Sequence, residues 1–218
     1  MGRGEESESL IQKMKSKGNL KSFRVEEAIR ATPRHIFVPE ECSEYAYRDT
    51  PLSIGSGQTI SQPSVVAKMT EWLDPQEGEK ILEIGTGSGW QAAVLSRLVG
   101  QGGVVYTVET IESLADKAME NLLLAGVNNV EVIKGDGSTG LFEHSPYDKI
   151  ICTAASPGIH NEWVQQLKEG GVLVAPIGSK QLQNMVALKM EKGKTRLIKH
   201  ERGYRFVELK GERGFDSG

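Results

Sequence analysis

Residues Ile81–Trp90 read Ile-Leu-Glu-Ile-Gly-Thr-Gly-Ser-Gly-Trp. A short apolar run carrying one acid, Glu83, ends in glycines at alternate positions, Gly85, Gly87 and Gly89. Such a run predicts a buried strand. The glycines predict a sharp turn from that strand into a helix, with the backbone free to pass close to a ligand where side chains would block it. The pattern departs from the dinucleotide fingerprint Gly-x-Gly-x-x-Gly, because the third glycine comes one residue early and position 90 is Trp.

Working outward, strands alternate with helical patterns. Lys80–Ile84, Val104–Val108, Val130–Lys134, Lys149–Cys152 and Gly171–Ala175 read as strands. Trp90–Val99, Ile111–Ala125 and His160–Leu167 read as helices, the second with Leu114, Ala118, Leu122 and Ala125 on one face. That alternation predicts an α/β protein with parallel βαβ units. After Ile177 two longer strands, Gln183–Met190 and Leu197–Leu209, predict an antiparallel hairpin closing the sheet. Upstream, Leu10–Lys17 and Arg24–Ala31 are helical, with Pro33 as a stop. Thr32–Pro39 and Tyr45–Leu52 read as extended, turn-rich chain. Pro63 favours the first turn of a helix running to Leu73. The expected organisation is one domain over 1–218: an N-terminal helical and loop extension over 1–60, a core over 61–180, and a hairpin and tail over 181–218.

Bulk properties exclude several classes. No apolar run approaches the roughly 20 residues that cross a bilayer, and the N-terminus is polar and acidic, so a cytoplasmic protein is expected. Cys42 and Cys152 are the only cysteines and lack metal-type spacing. The net charge of −3 gives no general pull toward nucleic acid. The stretch Lys189–Arg213 differs, with nine Lys/Arg against four Glu. It reads as a solvated hairpin face or as a surface that greets acidic substrates. Nothing in the sequence decides oligomeric state, and a monomer is favoured.

The glycine segment resembles the first motif of S-adenosylmethionine-dependent methyltransferases with a Rossmann-like sheet. Ile54–Pro63, reading Ile-Gly-Ser-Gly-Gln-Thr-Ile-Ser-Gln-Pro, narrows the resemblance to the protein L-isoaspartate O-methyltransferases. Arg34–Pro39, Tyr47–Leu52 and Leu173–Gly178 also match, so the likeness spans Val25 to Phe206. It implies S-adenosyl-L-methionine as cofactor, S-adenosyl-L-homocysteine as product, and isoaspartyl peptides and proteins as partners. It implies a loop of Gln58, Thr59 and Ile60 over the cofactor, with Ser61 orienting the acceptor carboxylate. Glu83 would face the cationic methionyl end, and Gly85, Gly87 and Gly89 would give the close backbone approach. Glu109 stands where a ribose-binding acid is expected, and Asp136 and Gly137 would hold the adenine. In place of the Asn/Asp-Pro-Pro-aromatic segment of amino-group methyltransferases stands Thr153-Ala154-Ala155-Ser156-Pro157. Ala154 and Ala155 would leave room for a bulky acceptor. One departure is Glu208, where the family often has Pro.

Carboxylate methylation suits the absence of a catalytic dyad. A carboxyl group with a pKa near ~4 is already ionised at neutral pH, so position and desolvation are the main requirements. Other readings remain at this point: a same-fold methyltransferase acting on RNA or a small molecule, a nicotinamide oxidoreductase, or an inactive binding module. Ser61 could also simply cap the helix that follows it.

Overall fold

The computed structural model describes residues 2–215; Met1 and residues 216–218, the last part of the tail left unassigned from sequence, lie outside the described residues. Seven strands form the main sheet: β3 (Lys80–Ile84), β4 (Val104–Glu109), β5 (Val130–Lys134), β6 (Tyr147–Cys152), β7 (Leu167–Gly178), β8 (Gln183–Glu191) and β9 (Lys194–Tyr204). Their order is β5-β4-β3-β6-β7-β8-β9. The first five are parallel, and β8 and β9 each run antiparallel to the strand before. Two reversals turn β9 back to the direction of the parallel strands. Its end therefore delivers residues 205–210 to the same edge as the strand C-termini, where open α/β sheets bind ligands.

Both faces of the central strands are covered, which explains their nearly continuous apolar character. Leu82, Ile84, Ile150, Cys152 and Leu173 pack with Trp163 on one face. Ile81, Val105, Ile151 and Val174 pack on the other against Met69 and Leu73 of α3 (Pro63–Leu73) and Leu95 and Val99 of α4 (Trp90–Val99). A third layer, α1 (Arg3–Ser16) and α2 (Phe23–Arg30), closes over the outer side of α4 through Leu10, Ile11, Met14, Val25 and Ile29. Helix α5 (Glu112–Leu124) covers β4 and β5 with Leu114, Ala118 and Leu122. No helix among the described residues is long and apolar enough to cross a membrane.

Several local expectations are corrected. Thr32–Pro39 is not simply extended, since Arg34–Phe37 forms a 3-10 turn, and another spans Glu40–Tyr45. Helix α6 covers only Asn161–Gln165. It stops early because Leu167 is drawn into β7 opposite Tyr147, and β7 reaches Val172 through a bulge. The loop around Gln58 is a two-stranded hairpin, β1 (Leu52–Gly55) with β2 (Gln58–Ile60). Strand β9 ends at Tyr204, so residues 205–209 belong to the segment beyond it.

One buried cation ties the outer layer to the sheet. The Arg34 guanidinium donates to the carbonyls of Ala46 (2.6 Å), Thr50 (3.1 Å) and Ser61 (3.2 Å) and lies 5.3 Å from the ring centroid of Trp90. Burial pulls its pKa down to about 10, opposed by nearby Asp49, so it stays charged at neutral pH. Arg34→Ala would strand three carbonyls and empty a large buried site. We expect a loss of about 3–5 kcal/mol in urea unfolding; a loss below ~1 kcal/mol would refute this tie.

Candidate active site

The strand order reverses beside β3, with β4 on one side and β6 on the other, and the site opens at that crevice. Gly85 has φ +94° there, and a Cβ on it would meet Thr153 Oγ1 at 2.6 Å. The Thr153 hydroxyl lies 2.5 Å from the Gly85 carbonyl and 3.1 Å from that of Ile84, pinning the turn to β6. Gly89 is the N-cap of α4 at φ +86°, and a Cβ there would press on Leu122 at 3.3 Å. These two positions account for the spacing seen in the sequence: one glycine for the passage between strands, another for close packing under α5.

Glu109 ends β4 and lines the cavity. Its Oε2 accepts from the Gly87 N–H (2.9 Å) and its Oε1 from the Ile111 N–H (3.0 Å). The carboxylate thus clamps the glycine turn to the start of α5 and keeps about two of its four acceptor sites free. The helix-start role therefore does not use up the carboxylate.

Glu83 takes a different place from the one read in the sequence. Strand alternation turns it to the face of Ile81, away from Ile84, and it is fully buried. It reaches the cavity only through a relay: Thr107 donates to Glu83 Oε2 (2.5 Å), and Thr86, which lines the cavity, lies 2.7 Å from Thr107. Oε1 has no partner among the described residues. Burial pushes the Glu83 pKa up to about 8, with Thr107 opposing and Glu109 reinforcing. It therefore carries a proton at neutral pH and braces the turn as a neutral group.

Asp136 is exposed, and its neighbour Gly137 lines the cavity against Ile84 and Val108. Asp136 Oδ1 accepts from Ser138 N (2.8 Å) and Oδ2 from Glu212 N (2.7 Å). Partial burial pushes this carboxyl up, but those N–H donors outweigh it and hold it below the usual carboxylate range. Ala154 lines the cavity. Ala155 does not; it is fully buried, and its backbone pairs with Val207 and Leu209.

Gln58, Thr59, Ile60 and Ser61 form one wall. Ser61 does not cap α3. The N-cap is Gln62, and the Ser64 N–H is satisfied by Asp49 Oδ1 at 3.0 Å. The Ser61 hydroxyl makes no hydrogen bond among the described residues, while its carbonyl is held by Arg34. A second cavity adjoins the first, and Thr59, Ser61, Thr153 and Val207 line both. The opposite wall, Val207–Lys210, was not picked out as a site from sequence. Glu208 lies in it, bridged to Ala155 and 3.6 Å from Lys180.

The first cavity is walled by the ends of β3 and β4, the glycine turn and residues 58–61, an apolar lining with a few placed polar groups as in small-molecule sites. Its strand order, glycine turn and acid after the second core strand define an S-adenosylmethionine-dependent methyltransferase. A further solved O-methyltransferase of this class, from Thermotoga maritima, shares the fold at TM-score 0.53 and 21% identity over 77% of this chain and 69% of its own. The profile of the family "Protein-L-isoaspartate(D-aspartate) O-methyltransferase" matches residues 5–214. The chain belongs to that family. It is 48% identical to protein-L-isoaspartate O-methyltransferase 2 of Archaeoglobus fulgidus over 100% of this chain and 98% of the relative. It is 47% identical to the Methanopyrus kandleri protein-L-isoaspartate O-methyltransferase over 95% of this chain and 92% of the relative. A solved protein-L-isoaspartate O-methyltransferase superposes at TM-score 0.87 with 33% identity, covering 95% of this chain and 67% of its own. A Plasmodium falciparum structure in complex with S-adenosyl-L-homocysteine shares the fold at TM-score 0.80 and 22% identity, covering 94% of this chain and 98% of its own.

The Glu83 proton makes a prediction with a definite sign. The folded state binds this proton up to about pH 8, whereas an unfolded Glu loses it near ~4.3. Between those values stability falls as pH rises, by up to about 1.4 kcal/mol per pH unit. Glu83→Gln should flatten that slope in urea unfolding at pH 5, 6.5 and 8; an unchanged slope would show that Glu83 is not its source.

Proposed function

We propose that this chain methylates the free α-carboxylate of L-isoaspartyl residues in damaged peptides and proteins, using S-adenosyl-L-methionine and releasing S-adenosyl-L-homocysteine. The observation that carries this reading is the junction of the two cavities at an uncommitted Ser61 hydroxyl. One cavity presents the glycine turn and the Glu109 carboxylate for the cofactor; the other, reached through Thr59, Ser61, Thr153 and Val207, is the side from which a peptide acceptor would enter.

When bound, S-adenosyl-L-methionine supplies an electrophilic methyl group. Its holding falls to residues already described. The free acceptor sites of Glu109 suit the two ribose hydroxyls. Ile84, Val108 and Gly137 form an apolar slot that suits the adenine ring, with Asp136 beside it for the exocyclic amine. The backbone of Gly85 and Gly87 gives close approach, Glu83 braces that turn from behind, and Gly89 seats α4. Gln58, Thr59 and Ile60 form the covering wall.

The acceptor needs no general base, since its carboxylate is ionised at neutral pH. Ser61 donates to that carboxylate and fixes its line of attack, and Ala154 leaves space beside it. Ala155 acts through its backbone, holding Val207 and Leu209 in the wall. Placing both reactants in a cleft shielded from water is the main source of rate. The ester product then closes as the following backbone nitrogen attacks it and methanol leaves. The resulting succinimide opens to aspartyl or isoaspartyl. The free thiols of Cys42 and Cys152 support action in a reducing compartment such as the cytoplasm.

Methyl transfer to matched peptides that differ only in Asp or isoAsp linkage tests the reading. Label on the isoAsp peptide alone is expected, and equal label on both would overturn it. Ser61→Ala should lower kcat roughly tenfold to a hundredfold with S-adenosyl-L-homocysteine affinity unchanged by calorimetry. Glu109→Gln should weaken that affinity by about tenfold or more; unchanged affinity would remove its ribose role.

A further inference from the structure

The acceptor cleft continues past Tyr204. Asn19, Lys68 and Glu201 line both the cleft and a second groove, which runs along α3 between Lys21, Trp72 and Lys199. Five cations border this path: Lys21, Lys68, Lys199, Arg202 and Arg205. Two acids stand among them, and both are engaged. Glu71 accepts the N–H groups of Lys21 (2.9 Å) and Ser22 (2.6 Å), and Glu201 takes Lys68 (2.7 Å) and the Tyr204 hydroxyl (2.6 Å). Lys199 rests over the Trp72 ring, 5.8 Å from its centroid. Lys21, Lys199, Arg202 and Arg205 are exposed and form no ion pair among the described residues. The groove is therefore positive on a chain whose net charge is −3.

Its direction sets a spacing. Tyr204, at the acceptor cleft, pairs with Gln183, and Lys199, in the groove, pairs with Ala187, so the two lie four rungs apart on the sheet, or about 14 Å. An extended peptide leaving the cleft would cover that span in roughly four residues. We propose that this groove selects isoaspartyl segments carrying acidic residues four to five positions from the damaged residue. The proposal rests on the methyl-transfer reading above. Discrete carboxylates suit the groove better than a continuous phosphate backbone, because Glu71 and Glu201 interrupt its cations.

The test uses isoaspartyl peptides with Glu, Gln or Lys at the fourth and fifth positions, placed N-terminal to the isoaspartate in one set and C-terminal in another. In at least one set, kcat/KM for the Glu peptide should exceed that for the Lys peptide by about tenfold at low salt, mainly through KM. The preference should shrink below about twofold near ~0.5 M KCl. Lys199→Glu should reverse the ranking. Equal rates for Glu and Lys peptides in both sets, a ranking untouched by Lys199→Glu, or displacement of the Glu peptide by an equimolar single-stranded RNA would overturn the proposal. Failure to methylate even the Gln peptides would instead overturn the methyl-transfer reading, so the two failures are distinct.

Discussion

The site depends on one constraint: two neighbouring parallel strands, β3 and β6, must part at their C-terminal ends while remaining joined. Chain leaves β3 toward α4 on one face of the sheet, and chain leaves β6 toward the other face. Thr153 holds the split to a fixed width through the carbonyls of Ile84 and Gly85. A side chain at Gly85 would collide with that hydroxyl, so composition at one position and a hydrogen bond at another are the same requirement. Glu109 sets the far side of the crevice by gripping Gly87 and Ile111. The cavity floor is thus defined by strand ends, the most rigid part of an α/β fold, and rigid support is what a positioning reaction needs.

The other walls come from chain far away in sequence. The β1–β2 hairpin is anchored by buried polar groups more than by its own short ladder. Arg34 fixes the Ser61 carbonyl from one side, and Asp49 fixes the Ser64 N–H from the other. With its neighbours' backbone groups engaged, the Ser61 hydroxyl is left facing the junction. A serine whose own side chain capped α3 would be held as firmly but would have no acceptor capacity to spare. Transferring the capping task to Asp49 releases it.

Legibility in the sequence followed periodicity. Strands β3 and β5 and helix α4 were readable to the residue, because apolar runs and glycine punctuation are local signals. So were the acid after β4 and the reversal of texture after Ile177. Pairwise commitments were less legible. Period-two alternation would have turned Glu83 away from Ile84, but its charge drew the reading toward a cationic ligand, and nothing local showed that burial keeps it protonated. Ser61 before Pro63 has the look of a cap, and the competing donor partner, Asp49, lies on a separate turn. The early end of α6 reflects the pull of a distant strand on Leu167. The wall at Val207–Lys210 carries no motif, and only the double reversal through β8 and β9 brings it to the strand ends.

That last wall is tied to the rest of the pocket by long-range contacts. Ala155 is bridged by Val207 and Leu209, Asp136 takes the Glu212 N–H, and Glu162 pairs with Arg213 at 2.8 Å. Each contact joins residues more than fifty positions apart, so each closes a long loop. The pocket's last side is thus secured by residues beyond β9, and shortening the chain after Tyr204 would remove that side while leaving all seven strands in the sequence.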